Sequence, residues 1–149
     1  MIFYTVINVY KYICFCATDN RSVNPVALGI LAQKAGFGGI GIYWHSKAAI
    51  VHTDTRGGKA TWLCTTPGQY PSTTYNAFIL PTIKQGCSGA ANRSATIMLQ
   101  KLLKVKADGS FGPGTTAALM DAQRKHGLVA DGICGPKSWT ALSGAVKYL

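Results

Sequence analysis

Glutamate is missing from all 149 residues, and the five acidic side chains are Asp19, Asp54, Asp108, Asp121 and Asp131. Any chemistry that needs a carboxylate must therefore use one of these five. Charged residues of both signs amount to only 13%, against 48% hydrophobic ones. That balance excludes a disordered chain, because there is ample apolar surface to bury. No Cys-x-x-Cys pair occurs among Cys14, Cys16, Cys64, Cys87 and Cys134, which argues against a zinc ribbon or a thioredoxin-like site. Cys64 and Cys87 flank a turn-rich stretch and would pair in an oxidising compartment; the alternative is that all five are free and behave as small hydrophobes. No apolar run reaches the length of a membrane-spanning helix. The opening residues, Met1 to Tyr10, are apolar but lack a basic n-region and a small-residue cleavage site. They read as strand rather than secretory signal.

What is abundant is positive charge. Fifteen basic residues against five acidic ones give a formal net charge of +10. Such a surface suits a polyanionic partner: nucleic acid, an acidic membrane surface or an anionic cell wall. The basic residues are scattered, with neither a basic helical stripe nor an aromatic stacking motif, so nucleic acid ranks lowest.

One phrase is written twice. Ala107-Asp108-Gly109-Ser110-Phe111-Gly112-Pro113-Gly114-Thr115 is followed by Ala130-Asp131-Gly132-Ile133-Cys134-Gly135-Pro136-Lys137-Ser138. Asp-Gly supplies a turn with positive φ available at glycine. Gly-Pro before an apolar run is a helix entrance, since proline at the first helical position gives up an N–H that would be unpaired anyway. The repeat predicts two turn-then-helix units, over about Pro113 to His126 and Pro136 to Leu142. In the first of them Ala117, Ala118, Met120, Ala122 and Gln123 are expected inside. A third helix precedes them, capped by Ser94 and running to Lys104, with Ile97, Leu99, Leu102 and Leu103 on its core face.

Before the repeat the pattern changes. Residues 1 to 16 read as one or two strands. Asn24 caps a helix that enters at Pro25 and stops at Gly36. Ile40-Gly41-Ile42-Tyr43-Trp44 and Ala48 to Arg56 read as a β-hairpin turning at His45-Ser46-Lys47. A period of two puts Ile50, His52, Asp54 and Arg56 on one face, which is an unusual content for a core and a reasonable place for a polar site. The cluster Ala77 to Leu80 is expected to pack back on this first part. The fold class is therefore α+β: a small N-terminal antiparallel sheet with a helix over residues 1–86, a linker at 87–93, and a C-terminal three-helix bundle over 94–149.

The C-terminal residues resemble a known family. Leu99-Gln100, Leu102-Leu103, Asp108-Gly109-x-Phe111-Gly112, Thr115, Ala118, Gln123, Gly127-Leu128, Asp131-Gly132-Ile133-x-Gly135 and Trp139-x-x-Leu142 follow the pattern of the peptidoglycan-binding domain, the three-helix bundle appended to many wall hydrolases. The resemblance covers about Ser94 to Leu142. It departs at Ala122, where the family has an aromatic before the glutamine. It implies binding of wall glycan or stem peptide. Asp108 and Asp131 read as turn formers, Trp139 as core, and His126 as a residue suited to a helix C-terminus.

The N-terminal residues Gly38-Gly39-Ile40-Gly41-Ile42-Tyr43, Val51-His52-Thr53-Asp54-Thr55-Arg56 and Trp62 resemble the C-terminal half of the zinc D-Ala-D-Ala carboxypeptidase and L-Ala-D-Glu endopeptidase family. The resemblance implies His52 as a zinc ligand, with two more from an upstream Ser-x-His-x-x-Gly-x-Ala-x-Asp motif. Laid on Tyr10 to Asp19, that motif keeps Ala17 and Asp19, but Tyr12 stands at the histidine position. A hydrolytic zinc needs three protein ligands and one open position for water. Asp19 and His52 give two, and the third would have to come from Tyr12, His45 or a partner. Asp54 would be the base or the hydrogen-bond partner of His52, and Arg56 and Trp62 would touch substrate.

These readings give three expectations. The first is a wall-binding protein, monomeric and extracellular or wall-associated, behind a shortened peptidase-like part that lacks activity; a truncated or frame-shifted start would account for the apolar opening. The second is a working zinc peptidase for wall stem peptides. The third is a basic nucleic-acid binder.

Overall fold

A computed structural model describes residues 12–16, 24–45, 48–73 and 78–149. Among the described residues five strands form one sheet: β1 (Tyr12–Cys16), β2 (Gly39–His45), β3 (Ala48–Asp54), β4 (Ala60–Cys64) and β5 (Ser72–Thr73), in the order β1-β3-β2-β4-β5. Helix α1 (Pro25–Lys34) precedes β2, and α2 (Ala90–Leu103), α3 (Pro113–Lys125), α4 (Pro136–Ser143) and a 3₁₀ turn (Ala145–Tyr148) follow the sheet. The architecture is α+β, as the sequence predicts.

The sheet is mostly antiparallel, with one exception. β2 and β3 pair as the expected hairpin, Gly41 opposite His52, and β1 adds on the far side of β3. β3 thus occupies one edge of β2, so the returning chain takes the other edge. There β4 runs parallel to β2. The Gly38 amide donates to the Asp54 carbonyl, while the Gly38 carbonyl accepts from the Ala60 amide, and these two bonds hold the crossover.

Alternation sorts the sheet into two faces. Ile40, Ile42, Val51 and Leu63 are fully buried and face α1, whose Val26, Ala27 and Ile30 close the layer. Each such side chain contributes about 1.5–3 kcal/mol by leaving water. Gly29 permits this contact: a side chain there would collide with Ile42 and Ile79. Ile79 and Leu80 do pack back as expected, and the Ile79 amide donates to the Gln33 side chain at 2.9 Å. The opposite face carries Gly39, Gly41, Tyr43, His52, Asp54 and Trp62.

The helices depart from the expectation in instructive places. α1 begins as predicted, with Asn24 Oδ1 accepting from the Ala27 amide at 3.0 Å. Asn24 Nδ2 also donates to the Ser143 carbonyl at the end of α4, at 2.7 Å, so one side chain serves two helices. α2 starts at Ala90 after Gly89, not at Ser94, and residues 90–93 of the expected linker form its first turn. Ser94 is buried inside the helix, where its hydroxyl accepts from Thr65 at 3.3 Å. On α3 the buried stripe is Thr115, Leu119 and Gln123, with Ala117 exposed. The spacing of four is what a helix face demands; a tally of apolar residues misplaces the stripe because alanines are cheap on either side. Met98 joins Leu99 in the core beside α2's expected residues, whereas Leu102 and Leu103 are only partly buried.

The two parts share one apolar core, which runs from Val26 and Ile40 through Ile79 and Ile83 to Leu119 and Trp139. Lys101 crosses between them. Its ammonium donates to the Trp44 carbonyl at 2.6 Å and lies 5.3 Å from the Trp44 ring centroid; partial burial lowers its pKa from the ordinary lysine value.

Candidate functional site

The bundle is organised by a polar network built twice. Gln100 in α2 is 1% exposed, and its Nε2 donates to Asp108 Oδ1 at 2.9 Å, the Ser110 carbonyl at 3.0 Å and Thr115 Oγ1 at 3.1 Å, partners 8, 10 and 15 residues on. Gln123 in α3, also 1% exposed, donates to Asp131 Oδ1 at 2.9 Å, the Ile133 carbonyl at 3.0 Å and Ser138 Oγ at 3.0 Å, again 8, 10 and 15 residues on. Each glutamine oxygen accepts from the glycine amide of its Asp-Gly pair, Gly109 or Gly132. Both glycines sit at positive φ, 77° and 70°, where a side chain would be strained. Asp108 and Asp131 each accept from the backbone amide two residues on, at 2.9 Å. That bond is the main cause holding each carboxyl below its usual pKa. Both aspartates are turn formers, as the sequence suggests. The glutamines as turn organisers were the missed residues; a polar side chain at one fixed offset from each Asp-Gly was the available signal.

The chain just before α2 belongs to the same arrangement. Ile83 and Cys134 exchange backbone hydrogen bonds, at 3.1 and 2.8 Å, and the Gly86 amide donates to the Phe111 carbonyl at 3.1 Å. Phe111 and Cys134 hold the same place in the two repeats. Trp139 is fully buried, and its indole N–H donates to the Pro81 carbonyl at 2.9 Å. It is core, as expected. His126 caps the end of α3, and Gly127 follows at φ 68°.

On the sheet, the outer face gathers His52, Asp54, Arg56 and Trp62. Gly39 and Gly41 make this face. A side chain at Gly39 would overlap the Asp54 carboxylate, and one at Gly41 would overlap the Trp62 indole; without them neither group could lie across β2. Asp54 is 2% exposed. Its Oδ1 accepts from Arg56 Nε at 2.7 Å and from the Arg56 amide at 3.1 Å, and its Oδ2 accepts from Arg56 Nη2 and lies 3.4 Å from His52 Nε2. The Arg56 guanidinium holds the Asp54 pKa down at about 2, against the opposing effect of burial. Trp62 Nε1 donates to the Tyr43 hydroxyl at 2.8 Å; the His52 ring stands 5.4 Å from the Trp62 ring and the Arg56 guanidinium 5.7 Å from it.

The expected zinc ligands lie only partly among the described residues. Asp19 lies outside the described residues. Tyr12 is the register partner of Asp54. His45 lies four positions along β2 from Gly41, the partner of His52, which places it about 13 Å away along the strand. Among the described residues no group of three His, Cys, Asp or Glu stands close enough to hold a metal ion. Asp54 has both oxygens engaged by Arg56 and serves His52 as a hydrogen-bond partner. The described donor set does not fit a hydrolytic zinc. The candidate pairing of Cys64 with Cys87 is not made: both are free, Cys64 donating to the Thr66 carbonyl at 3.3 Å. Cys134 is free as well, and burial pushes its thiol pKa well up.

Comparison with known proteins now attaches a family to part of this geometry. Residues 89–142 match the family described as "Putative peptidoglycan binding domain". The chain resembles that family over about a third of its length. It is 37% identical over 65 residues to a zinc D-Ala-D-Ala carboxypeptidase of Streptomyces albus G, covering 41% of this chain and 26% of that protein. It is 41% identical over 78 residues to a spore cortex-lytic enzyme of Bacillus cereus, covering 48% and 29%. It is 57% identical over 35 residues to the N-acetylmuramoyl-L-alanine amidase CwlM of Mycobacterium tuberculosis, covering 24% and 9%. The chain thus spans less than a third of the length of each of these relatives. No solved structure matches. No helix among the described residues is long and apolar enough to cross a membrane.

Proposed function

We propose that this protein is a cell-wall protein that holds peptidoglycan through its bundle and does not itself cleave it. The observation that carries this reading is the family match over residues 89–142, in which both glutamine-centred turns are complete. The net charge of +10 agrees with an anionic wall. Wall or extracellular location follows from the same reading. Residues 1–86 would then be a peptidase-like part serving as a second, non-hydrolytic surface, and 94–149 the anchoring part. Purified protein is expected to sediment with insoluble peptidoglycan and to stay soluble without it; protein left in the supernatant at moderate salt would sink the proposal.

The competing reading, an active zinc peptidase with Asp19 and His52 as ligands, is favoured by the name of the Streptomyces relative. It requires a third ligand from Tyr12, His45 or a partner. Metal analysis separates the two: about one zinc per chain, with release of stem-peptide fragments, would establish the peptidase.

A further inference from the structure

The outer sheet face carries a row of rings that the peptidoglycan-binding match does not include. His52 on β3, Trp62 on β4 and Tyr43 on β2 follow one another, and Tyr70, in the loop between β4 and β5, ends the row with its ring 6.0 Å from Tyr43 at 63°. The row lies on the side of the sheet away from α1 and the apolar core. Its members reach solvent: Tyr70 is 55% exposed, the His52 side chain 20%, and Tyr43 and Trp62 are half-buried; Arg56 beside them is 45% exposed. The row is also preorganised. Trp62 packs directly onto Gly41 and is tethered to the Tyr43 hydroxyl, so little rotamer freedom remains to be lost on binding.

The charges beside the row cancel. Asp54 and Arg56 neutralise each other in a bidentate pair, so the rings adjoin a dipole rather than a net charge. A nucleic-acid platform would instead need a positively charged groove along its rings. A stem peptide, bearing carboxylates, would need a cation not already claimed by a carboxylate. A neutral sugar strand needs neither. Pyranose rings present apolar C–H faces to aromatic rings, while their hydroxyl and acetamide groups stay at the wet edge, where Tyr and Trp offer a polar tip. The charge on the rest of the chain then matches the anionic polymer in which that strand is embedded.

We propose that the row His52–Trp62–Tyr43–Tyr70 is a binding surface for the sugar strand of the wall, a chain of neutral N-acetylated pyranoses, separate from the bundle. This rests on the wall-directed reading above. The test uses the intact chain, titrated by calorimetry with a soluble N-acetylglucosamine oligomer and separately with free stem peptide. Tyr70→Ala and Trp62→Phe are compared with the parent, with thermal midpoints measured in parallel. The parent binds the oligomer, and Tyr70→Ala, at a residue 55% exposed, weakens it about tenfold with its midpoint unchanged. Trp62→Phe weakens the oligomer too. Both variants still sediment with peptidoglycan. No oligomer binding by the parent, equal affinity in parent and variants, or a loss confined to stem peptide overturns the ring surface. Failure of the parent to sediment, with oligomer binding still sensitive to Tyr70, overturns the bundle reading and leaves this one standing.

Discussion

Both halves of the molecule use one local device, an aspartate accepting from the backbone amide two residues on. Asp108 and Asp131 do so in the bundle and Asp54 in the sheet. What differs is the second partner. In the bundle it is a buried neutral amide, Gln100 or Gln123, and the carboxylate remains at the rim of a turn. In the sheet it is a guanidinium, and the carboxylate is sunk beneath His52 and above Gly39. The first arrangement closes a turn and leaves nothing reactive. The second concentrates opposite charges and aromatic rings at a surface. The same residue thus serves architecture in the bundle and concentrates charge in the sheet.

The largest effect should come from the glutamines. Gln123→Leu leaves the Asp131 carboxylate, the Gly132 amide, the Ile133 carbonyl and the Ser138 hydroxyl without their shared partner. The Gly132 amide and the Ser138 hydroxyl make their bonds in buried positions, and buried groups stripped in this way cost about 1–3 kcal/mol each when water does not replace the bond. A loss of about 3 kcal/mol or more in urea unfolding is expected, and Gln100→Leu should match it within about 1 kcal/mol. Widely different losses would show that the two turns are alike in geometry but not in energy.

A smaller effect tests the sheet. Gly41→Ala puts a methyl group where the Trp62 ring lies, and such overpacking costs about 1–3 kcal/mol. Tryptophan emission should shift as the indole lifts off β2. Unchanged stability and emission would mean that the glycine floor is not what seats Trp62.

The smallest effect depends on pH. Asp54 has a folded pKa of about 2, below its ordinary 3.8. A lowered carboxylate pKa stabilises the fold above the unfolded value, and that contribution drains away as pH falls from about 4 towards 2. Arg56 is half exposed, so the contribution is on the order of 1 kcal/mol after screening. Asp54→Asn should lose that amount near neutral pH and show a shallower fall in stability over the same acid window. An identical acid profile for parent and variant would place the sensitivity elsewhere.

Much of this was legible in the sequence where one residue type does one local job. Asn24 before Pro25, and Gly-Pro before α3 and α4, mark helix entrances because proline and the cap act within one turn. Alternation along β3 placed His52 and Asp54 together. The parts that were not legible depend on distant backbone. Nothing in β4 announces that it runs parallel to β2; the choice follows from β3 already holding the other edge. The buried stripe of α3 was misplaced because alanine carries little signal about which way it faces. The Ile83 and Gly86 contacts use only main-chain groups, which leave no side-chain pattern to read. In the polar site, the spacing of His52, Asp54 and Arg56 was visible, but the diversion of Asp54 to Arg56 was not, because Arg56 lies beyond the end of the strand.

The stretch Pro81 to Gly86 sets how portable the bundle is. Cutting the chain at residue 89, where the family match begins, would strip Trp139 of the carbonyl its indole uses and would open both repeat turns on the side that Ile83 and Gly86 now cover. A fusion meant to carry the bundle to another protein should therefore start upstream of Ile79 rather than at the mouth of α2.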